Sequence, residues 1–246
     1  MSLTNIKQIQ DRLLNIALEI TSILEKHEIP HFIGYGTLLG AVRHQGFIPW
    51  DDDFDFFLFD DSYEEAINVL RKELNQNYFV EDKLTEENFF HGWSRVKDLN
   101  SVVSYKEKTD DSIYRKQGLT IDLFRAYYTS FGNLNQFMNE QKLSYLNRKL
   151  KHGIISENEY NVSKAVPLKA TKSLDVETTE KIFAFALKPH FIYARDVFPL
   201  QRITFSEHSL PAPNNYKSVL TGLYGDYMRI PAEEDRVTYY SSVEVF

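Results

Sequence analysis

The stretch that most constrains this chain is a run of acidic residues that leads straight into an aromatic segment. Four carboxylates fall within five positions, at Asp51, Asp52, Asp53 and Asp55. Residues 56–59 are Phe-Phe-Leu-Phe, which is typical of a buried strand. Because neighbouring carboxylates repel one another, either water on an exposed loop or a bound cation must compensate them. The solvated loop remains an alternative, but a run that enters the core directly favours metal binding.

The spacing of two of these acids indicates what kind of site they could form. The pattern predicts a strand from Asp53 to Phe59, on which Asp53 and Asp55 point to the same face. Their Cα atoms would be about 6.5–7 Å apart, so the carboxylates can converge on one metal ion or a close pair. Oxygen ligands in a chain without cysteine favour Mg²⁺ or Mn²⁺.

A further acid, Asp122, lies between apolar neighbours in the segment 119–127, which is also predicted to be a strand. A charge in such a position is costly unless it is paired or coordinates a metal. Placed beside the Asp53–Asp55 pair, Asp122 would complete a site of three carboxylates. An ion pair with Arg125 or Arg95 is the alternative that the sequence leaves open.

The rest of the chain predicts a mixed α/β protein without a clear linker. Apolar residues recur at steps of three and four from Ile6 to Ile23, which predicts an amphipathic helix that ends near Ile29, before Pro30. The other predicted elements are strands over 31–36, 53–59, 93–99 and 119–127, and helices over 37–44, about 62–75 and 215–224. We therefore expect one domain over 1–246, in which residues 133–190 form a mostly helical sub-region or lobe.

Charge and composition restrict the partners. Lys and Arg total 28 against 35 Asp and Glu, so the formal net charge of −7 argues against a nucleic-acid-binding surface. The N-terminal residues are polar and charged, unlike a secretory signal, and the uncharged run 32–42 is too short to span a bilayer. We expect a cytoplasmic protein with at most peripheral contact at the inner face of the membrane, and the oligomeric state is not predicted.

Three separated motifs give the chain a resemblance to a known family. Residues 36–55, G-T-L-L-G-A-V-R-H-Q-G-F-I-P-W-D-D-D-F-D, strongly resemble the signature of the LicD family, the phosphocholine transferases related to fukutin. Residues 118–124 are similar to the second acidic motif of that family, and residues 211–231 resemble its C-terminal motif. The resemblance implies a nucleotidyltransferase-like mixed sheet flanked by helices.

The resemblance also implies an activity and a set of ligands. Asp53, Asp55 and Asp122 would be catalytic and bind metal, expected to be two Mg²⁺ or Mn²⁺ ions, and Gly36 and Thr37 would begin the nucleotide-facing helix. The reaction would move phosphocholine from CDP-choline to a hydroxyl of a glycan or lipid-linked glycan acceptor of teichoic acid, lipopolysaccharide or capsule type, releasing CMP. Asp122 is the candidate to accept the proton of the attacking hydroxyl.

Further side chains near these motifs are candidates for donor binding. Four cations could neutralise the donor's diphosphate, with surface ion pairs as the alternative: Arg43, His44, Arg95 and Lys97. Three aromatic residues could surround the quaternary ammonium of choline, with simple core packing as the alternative: Tyr35, Trp50 and Trp93.

Three other functions remain open at this point. The donor could be another CDP-alcohol, such as CDP-ribitol or CDP-glycerol. A metal-dependent glycosyltransferase would also use an Asp-x-Asp pair, although it would not need the acid at Asp122. A non-catalytic module that binds glycan or nucleotide is the third alternative, and the intact set of three acids counts against it.

Overall fold

The computed structural model of the 246-residue chain describes residues 3–105, 114–169, 177, 179–185, 190–236, 238 and 240–246. Its helices are α1 (Leu3–Lys26), α2 (Tyr35–His44), α3 (Tyr63–Glu73), α4 (Leu134–Lys151), α5 (Glu157–Ala165), α6 (Ala194–Val197) and α7 (Tyr216–Tyr224). Its strands are β1 (His31–Ile33), β2 (Phe54–Phe59), β3 (Tyr78–Glu81), β4 (Ser94–Asp98), β5 (Ser101–Tyr105), β6 (Thr120–Ser130), β7 (Lys181–Ala184), β8 (Phe191–Tyr193), β9 (Gln201–Phe205), β10 (His208–Ala212) and β11 (Tyr240–Val245). The chain is a mixed α/β protein, as the sequence predicts.

A seven-stranded mixed sheet organises the structure. Its main path runs β1-β2-β6-β4-β3, and β7 joins β6 and β8 to extend it. Strands β2 and β6 pair in parallel, whereas the other neighbours in this sheet pair antiparallel. Two separate pairs, β9–β10 and β5–β11, lie beside the sheet. The parallel pair sets the two acidic motifs side by side.

The long N-terminal helix covers one face of this sheet together with α3. The apolar positions of α1 that the sequence pattern picks out are buried in the main core, including Leu13, Ile16 and Ile20. Arg12 on the same helix donates two hydrogen bonds to Asp98 of β4, at 2.7 and 2.8 Å. With α1 and α3 packed on this face, the opposite face is the one that can carry a functional site.

Several predicted boundaries differ from those in the structure. Helix α1 ends at Lys26, three residues before the predicted end, because Glu28 adopts a left-handed backbone with φ of 56°. Strand β1 ends at Ile33 instead of reaching residue 36, and α2 begins at Tyr35. The sub-region 133–190 contains α4 and α5, but its described part also includes β7, which pairs with β6. Of the helices in the described ranges, none combines the length and apolar character needed to cross a membrane.

Candidate functional site

Four neighbouring strands carry a row of charged side chains across one face of the sheet. Asp55 of β2 is the register neighbour of Asp122 of β6. Asp122 in turn lies opposite Arg95 of β4, and Arg95 lies opposite Glu81 of β3. Because directly opposed residues share a face of a sheet, these four side chains form one line, which we call the charged row. The structure therefore brings two of the three predicted acids into direct adjacency.

Asp53 joins this arrangement from the segment before β2. Burial raises the pKa of the Asp53 carboxyl well above its usual range, and repulsion from Asp55, Asp51 and Asp122 raises it further. Burial also raises the pKa of Asp51 to about 7, although a hydrogen bond with Asp53 works in the opposite direction. Carboxylates that repel one another away from water form a site of negative potential, which suits a cation.

The carboxylate oxygens of these acids are the kind of ligand that a divalent cation prefers, but the side chains are not arranged as a metal-binding group. In the described ranges, no three His, Asp or Glu side chains are grouped in a geometry that would hold a metal ion. Asp122 instead accepts a hydrogen bond of 2.9 Å from Arg95 Nε, which is one of the ion pairs that the sequence left open. Arg95 thus supplies the countercharge for Asp122, and metal ligation by Asp53, Asp55 and Asp122 stays a prediction.

The beginning of α2 lies against this acidic cluster. The Thr37 hydroxyl accepts a hydrogen bond of 2.9 Å from the backbone N–H of Asp55, which fixes the start of β2. At Gly36 an added Cβ would lie 3.0 Å from Asp51 Oδ2, so the backbone approaches the acids closely at this position. Tyr35 has a φ of 39°, and such strain in a bulky residue is typical of functional sites. The predicted positions Tyr35, Gly36 and Thr37 therefore adjoin the acids.

Tyr35 is enclosed by aromatic rings. Its ring makes edge contacts with Phe57 and Phe124, at centroid distances of 4.7 and 5.0 Å. Its hydroxyl shares a hydrogen bond of 3.0 Å with Nε2 of His190, and burial raises the pKa of the Tyr35 phenol well above its usual value. His190 is a neighbour that sequence reasoning missed, because nothing in its local sequence links it to a site 155 positions away.

Arg43, His44 and Trp50 make their described contacts with each other and with the C-terminal part of the chain. Arg43 donates from Nε to His44 Nε2 at 2.9 Å, and from Nη1 to the carbonyls of Tyr227 and Arg229 at 3.0 and 3.1 Å. The Trp50 ring lies 6.4 Å from His44, with the Arg236 guanidinium 4.4 Å from its centroid. This group therefore holds the C-terminal segment, in addition to any role toward a donor.

Lys97 and Trp93 lie on β4 or just before it. The Lys97 side chain is 0% exposed. Its Nζ donates a hydrogen bond of 2.7 Å to the Lys116 carbonyl and lies 3.4 Å from Oε2 of Glu81. The Trp93 ring packs 4.8 Å from that of Phe124, and the Arg95 guanidinium is 5.9 Å from its centroid. Tyr35 and Trp93 thus contact the same phenylalanine, whereas Lys97 is enclosed at the far end of the charged row.

Comparison with known proteins adds the family to this geometry. A family profile described as LicD/FKTN/FKRP, nucleotidyltransferase domain, matches residues 28–153, just over half of the chain. The match includes α2, the acidic run and the strand that carries Asp122. This chain belongs to the LicD family.

The individual relatives share a quarter to a third of their residues with this chain over the aligned regions. The lipopolysaccharide cholinephosphotransferase LicD of Haemophilus influenzae is 25% identical over 92% of both chains. An uncharacterised protein of Rickettsia typhi is 30% identical over 51% of this chain and 41% of its own length. A structure of terminal uridylyl transferase 4 from Trypanosoma brucei with bound GTP has a TM-score of 0.26 and 13% identity, over 72% of this chain and 63% of that one. A TM-score this low supports no conclusion about the site.

Membership of the LicD family supports a transferase as the class of enzyme. Two further acids near the site differ in whether the sequence signals them. Asp52 is buried and accepts a hydrogen bond of 3.1 Å from the Tyr240 backbone N–H, and its place in the acidic run was a usable signal. Glu81 carried no such signal, because β3 was not predicted.

Proposed function

We propose that this LicD-family protein is a metal-dependent phosphotransferase that moves phosphocholine from CDP-choline to a hydroxyl of a cell-surface glycan precursor, releasing CMP. The observation that carries the proposal is the adjacency of Asp55 and Asp122 on parallel strands, with Asp53 in electrostatic contact with both. The printed name of the Haemophilus influenzae relative supports the choice of phosphocholine and of a glycan acceptor. CDP-ribitol or CDP-glycerol would use the same site if the alcohol pocket differs.

The carboxylates of Asp53, Asp55 and Asp122 would hold Mg²⁺ or Mn²⁺. Such an ion stabilises charge on a transferring phosphoryl group and acidifies an attacking hydroxyl. The bond between the acceptor oxygen and phosphorus forms while the bond from phosphorus to the CMP oxygen breaks, and CMP leaves with the electron pair.

The residues of the chain position the reactants in this scheme. Thr37 fixes the backbone at Asp55 through the hydrogen bond of 2.9 Å, and the α2 N-terminus presents its backbone N–H groups to the donor's phosphates. Arg95 keeps Asp122 oriented, and Asp122 accepts the proton of the acceptor hydroxyl. Arg43 supports the site through the C-terminal segment that it holds.

The test is nucleotide release from defined donors in the presence of Mg²⁺ and a glycan acceptor. CDP-choline should yield CMP and a choline-modified glycan, while CDP-glycerol, CDP-ribitol and UDP-glucose serve as competing donors. Asp55→Asn and Asp122→Asn should each lower kcat by about 10²–10⁴-fold, the range expected for loss of a group that acts on the reacting atoms. Asp61→Asn, at an exposed acid just beyond β2, is the matched control and should keep its activity.

Two outcomes would overturn the proposal. Release of UDP from UDP-glucose with no release of CMP would identify a glycosyltransferase. Near-normal turnover in Asp55→Asn and Asp122→Asn would remove the acids from the chemistry.

A further inference from the structure

The C-terminal part of the chain brings Tyr240, the first residue of β11, into contact with the acidic motif. The Arg236 guanidinium lies 4.4 Å from the centroid of the Trp50 ring, and the Tyr240 backbone N–H donates to the Asp52 carboxylate at 3.1 Å. From Tyr240 onward, β11 pairs with β5. Tyr240 lies outside residues 28–153, which the family profile matches, so family membership gives this side chain no role.

The Tyr240 ring is part of the main core, but its hydroxyl has no partner there. The residue is 4% exposed, and its ring centroid lies 5.5 Å from that of Tyr105. A buried phenol usually has a hydrogen-bond partner, yet in the described part of the chain none reaches this hydroxyl. The hydroxyl belongs to the small exposed remainder of the side chain, because it is not among the described polar atoms that are both enclosed and unbonded. A ligand can therefore reach it.

The charged groups that act on this phenol belong to the candidate site. Burial raises the pKa of the Tyr240 phenol well above its usual value, and repulsion from Asp52 and Asp53 raises it further, whereas the Arg95 cation lowers it. Asp53 precedes β2 and Arg95 lies on β4, and these two strands flank β6, which carries Asp122. At neutral pH the phenol keeps its proton, so Tyr240 presents a hydrogen-bond donor beside the acids.

The acids near this donor are engaged elsewhere. Asp52 accepts its described hydrogen bond from the Tyr240 backbone, and Asp53 shares a hydrogen bond with Asp51. An oxygen of a bound substrate can supply the missing acceptor for the phenol, and a phosphoryl group is rich in such oxygens. A donor that is already fixed beside developing negative charge stabilises a transition state without reorganisation.

We infer that Tyr240 is a further catalytic residue, whose phenol O–H donates a hydrogen bond to an oxygen of the phosphoryl group during its transfer. The proton stays on the phenol throughout, so Tyr240 stabilises charge and leaves proton transfer to Asp122. This inference rests on the phosphotransferase function proposed above, which supplies the identity of the acceptor oxygen. Its tests separate the two, because one of them needs no turnover.

The variant Tyr240→Phe removes the hydroxyl and keeps the ring. We expect kcat for CMP release from CDP-choline to fall by about 10²–10³-fold, as for loss of a donor to a developing oxyanion. The hydrogen bond strengthens in the transition state, so kcat/KM should fall by the same factor while the KM for CDP-choline stays nearly constant. The Tm should not fall, because the hydroxyl has no partner among the described residues to lose.

The matched control is Tyr63→Phe, the same change at a buried tyrosine whose hydroxyl is bonded within the protein. The Tyr63 hydroxyl accepts a hydrogen bond of 2.6 Å from the Ser94 backbone N–H and donates one of 3.0 Å to the Leu123 carbonyl. Tyr63→Phe should therefore lower the Tm and leave kcat near the wild-type value. If Tyr240→Phe behaves in this way, or combines a lower Tm with a raised KM, its hydroxyl supports the fold and the inference is overturned.

Orthovanadate, added with CMP and Mg²⁺, mimics a phosphoryl group in transfer and allows a measurement without turnover. Calorimetric titration should show vanadate binding about tenfold more weakly to Tyr240→Phe than to the wild-type protein, the loss of one hydrogen bond to a charged oxygen. Tyr63→Phe should keep the wild-type affinity. Equal vanadate affinity in Tyr240→Phe and the wild-type protein overturns the inference.

The remaining outcomes distinguish this inference from the proposed function. A wild-type protein that binds vanadate through Tyr240 but releases no CMP from CDP-choline keeps the inference and loses the proposed donor. An enzyme that releases CMP equally fast with and without the Tyr240 hydroxyl loses only the inference. A wild-type protein that neither binds vanadate nor releases CMP loses both.

Discussion

The carboxylate of Asp53 carries an electrostatic cost in the folded protein. Burial raises the pKa of this carboxyl, and repulsion from four other acids raises it further: Asp55, Asp51, Asp122 and Asp52. Such strain is tolerated where a bound cation or substrate later compensates it, and the cation-free protein carries the cost.

Removing this charge should therefore stabilise the protein while inactivating it. Asp53→Asn is expected to raise the free energy of unfolding of the metal-free protein, by about 1 kcal/mol as for a typical single-site change, because it removes a buried charge that four neighbouring acids repel. Urea denaturation in EDTA measures the change, with Asp61→Asn as the exposed control. A less stable Asp53→Asn would show that the acids do not repel one another in the folded protein.

Lys97, which lies beside Glu81 of the charged row, is a buried charge that an acid of the protein itself neutralises. Its ammonium group is fully enclosed, 3.4 Å from the equally enclosed Glu81. Lys97→Met should lower the free energy of unfolding by about 3–5 kcal/mol, because it removes a cation from beside the buried carboxylate of Glu81. The double variant Lys97→Met/Glu81→Gln should recover a large part of this loss in the same urea experiment. If Lys97→Met instead raises the KM for the donor with stability unchanged, Lys97 contacts the substrate.

Among the secondary-structure elements, α2 connects two distant parts of the chain. Arg43 near its C-terminal end donates to the carbonyls of Tyr227 and Arg229, while Thr37 near its beginning bonds the backbone of Asp55. The helix thus contacts both the C-terminal segment and the acidic strand.

Loss of the Arg43 contacts should loosen that segment. Arg43→Ala should cost about 1–3 kcal/mol, because two hydrogen bonds from a charged donor disappear. Faster amide hydrogen exchange around residues 227–229 and a lower Tm are the expected readouts. Arg229→Ala, which keeps the backbone carbonyl and removes an exposed guanidinium, serves as the control. Unchanged exchange in Arg43→Ala would contradict the anchoring role.

The elements that the sequence predicts well are those with a strong local pattern. A window of about ten residues is enough to recognise three of them: the stripe of isoleucines and leucines in α1, the Phe-rich β2 and the apolar start of β6. Strands β3, β5 and β11 are short or half-exposed, and β5 and β11 pair with each other from distant parts of the sequence. The sequence also does not determine whether Arg95 or Arg125 pairs with Asp122, because the register that places Arg95 opposite Asp122 depends on how the whole sheet assembles.

For the molecule as a whole, the proposed cation site links ligand binding to global stability. Mg²⁺ or Mn²⁺ would bind only the folded arrangement of the acids, so each should raise Tm with the logarithm of its concentration once that exceeds Kd. At a hundred times its Kd the gain is about 2.7 kcal/mol. Asp55→Asn should abolish this shift, whereas Asp61→Asn should retain it. A Tm that does not respond to either ion would remove metal dependence from the proposed function.

The single parallel pairing in the main sheet has a consequence for when activity can arise. Asp55 and Asp122 become neighbours only when β2 and β6 align, and the stretch of chain between these strands includes β3, β4 and β5. Contacts between such remote segments form slowly, because the chain loses conformational entropy on closing the loop before the strand pairing stabilises it. A newly made chain in which β2 and β6 have not yet paired therefore lacks the adjacent carboxylates, so the proposed cation site arises only together with the sheet.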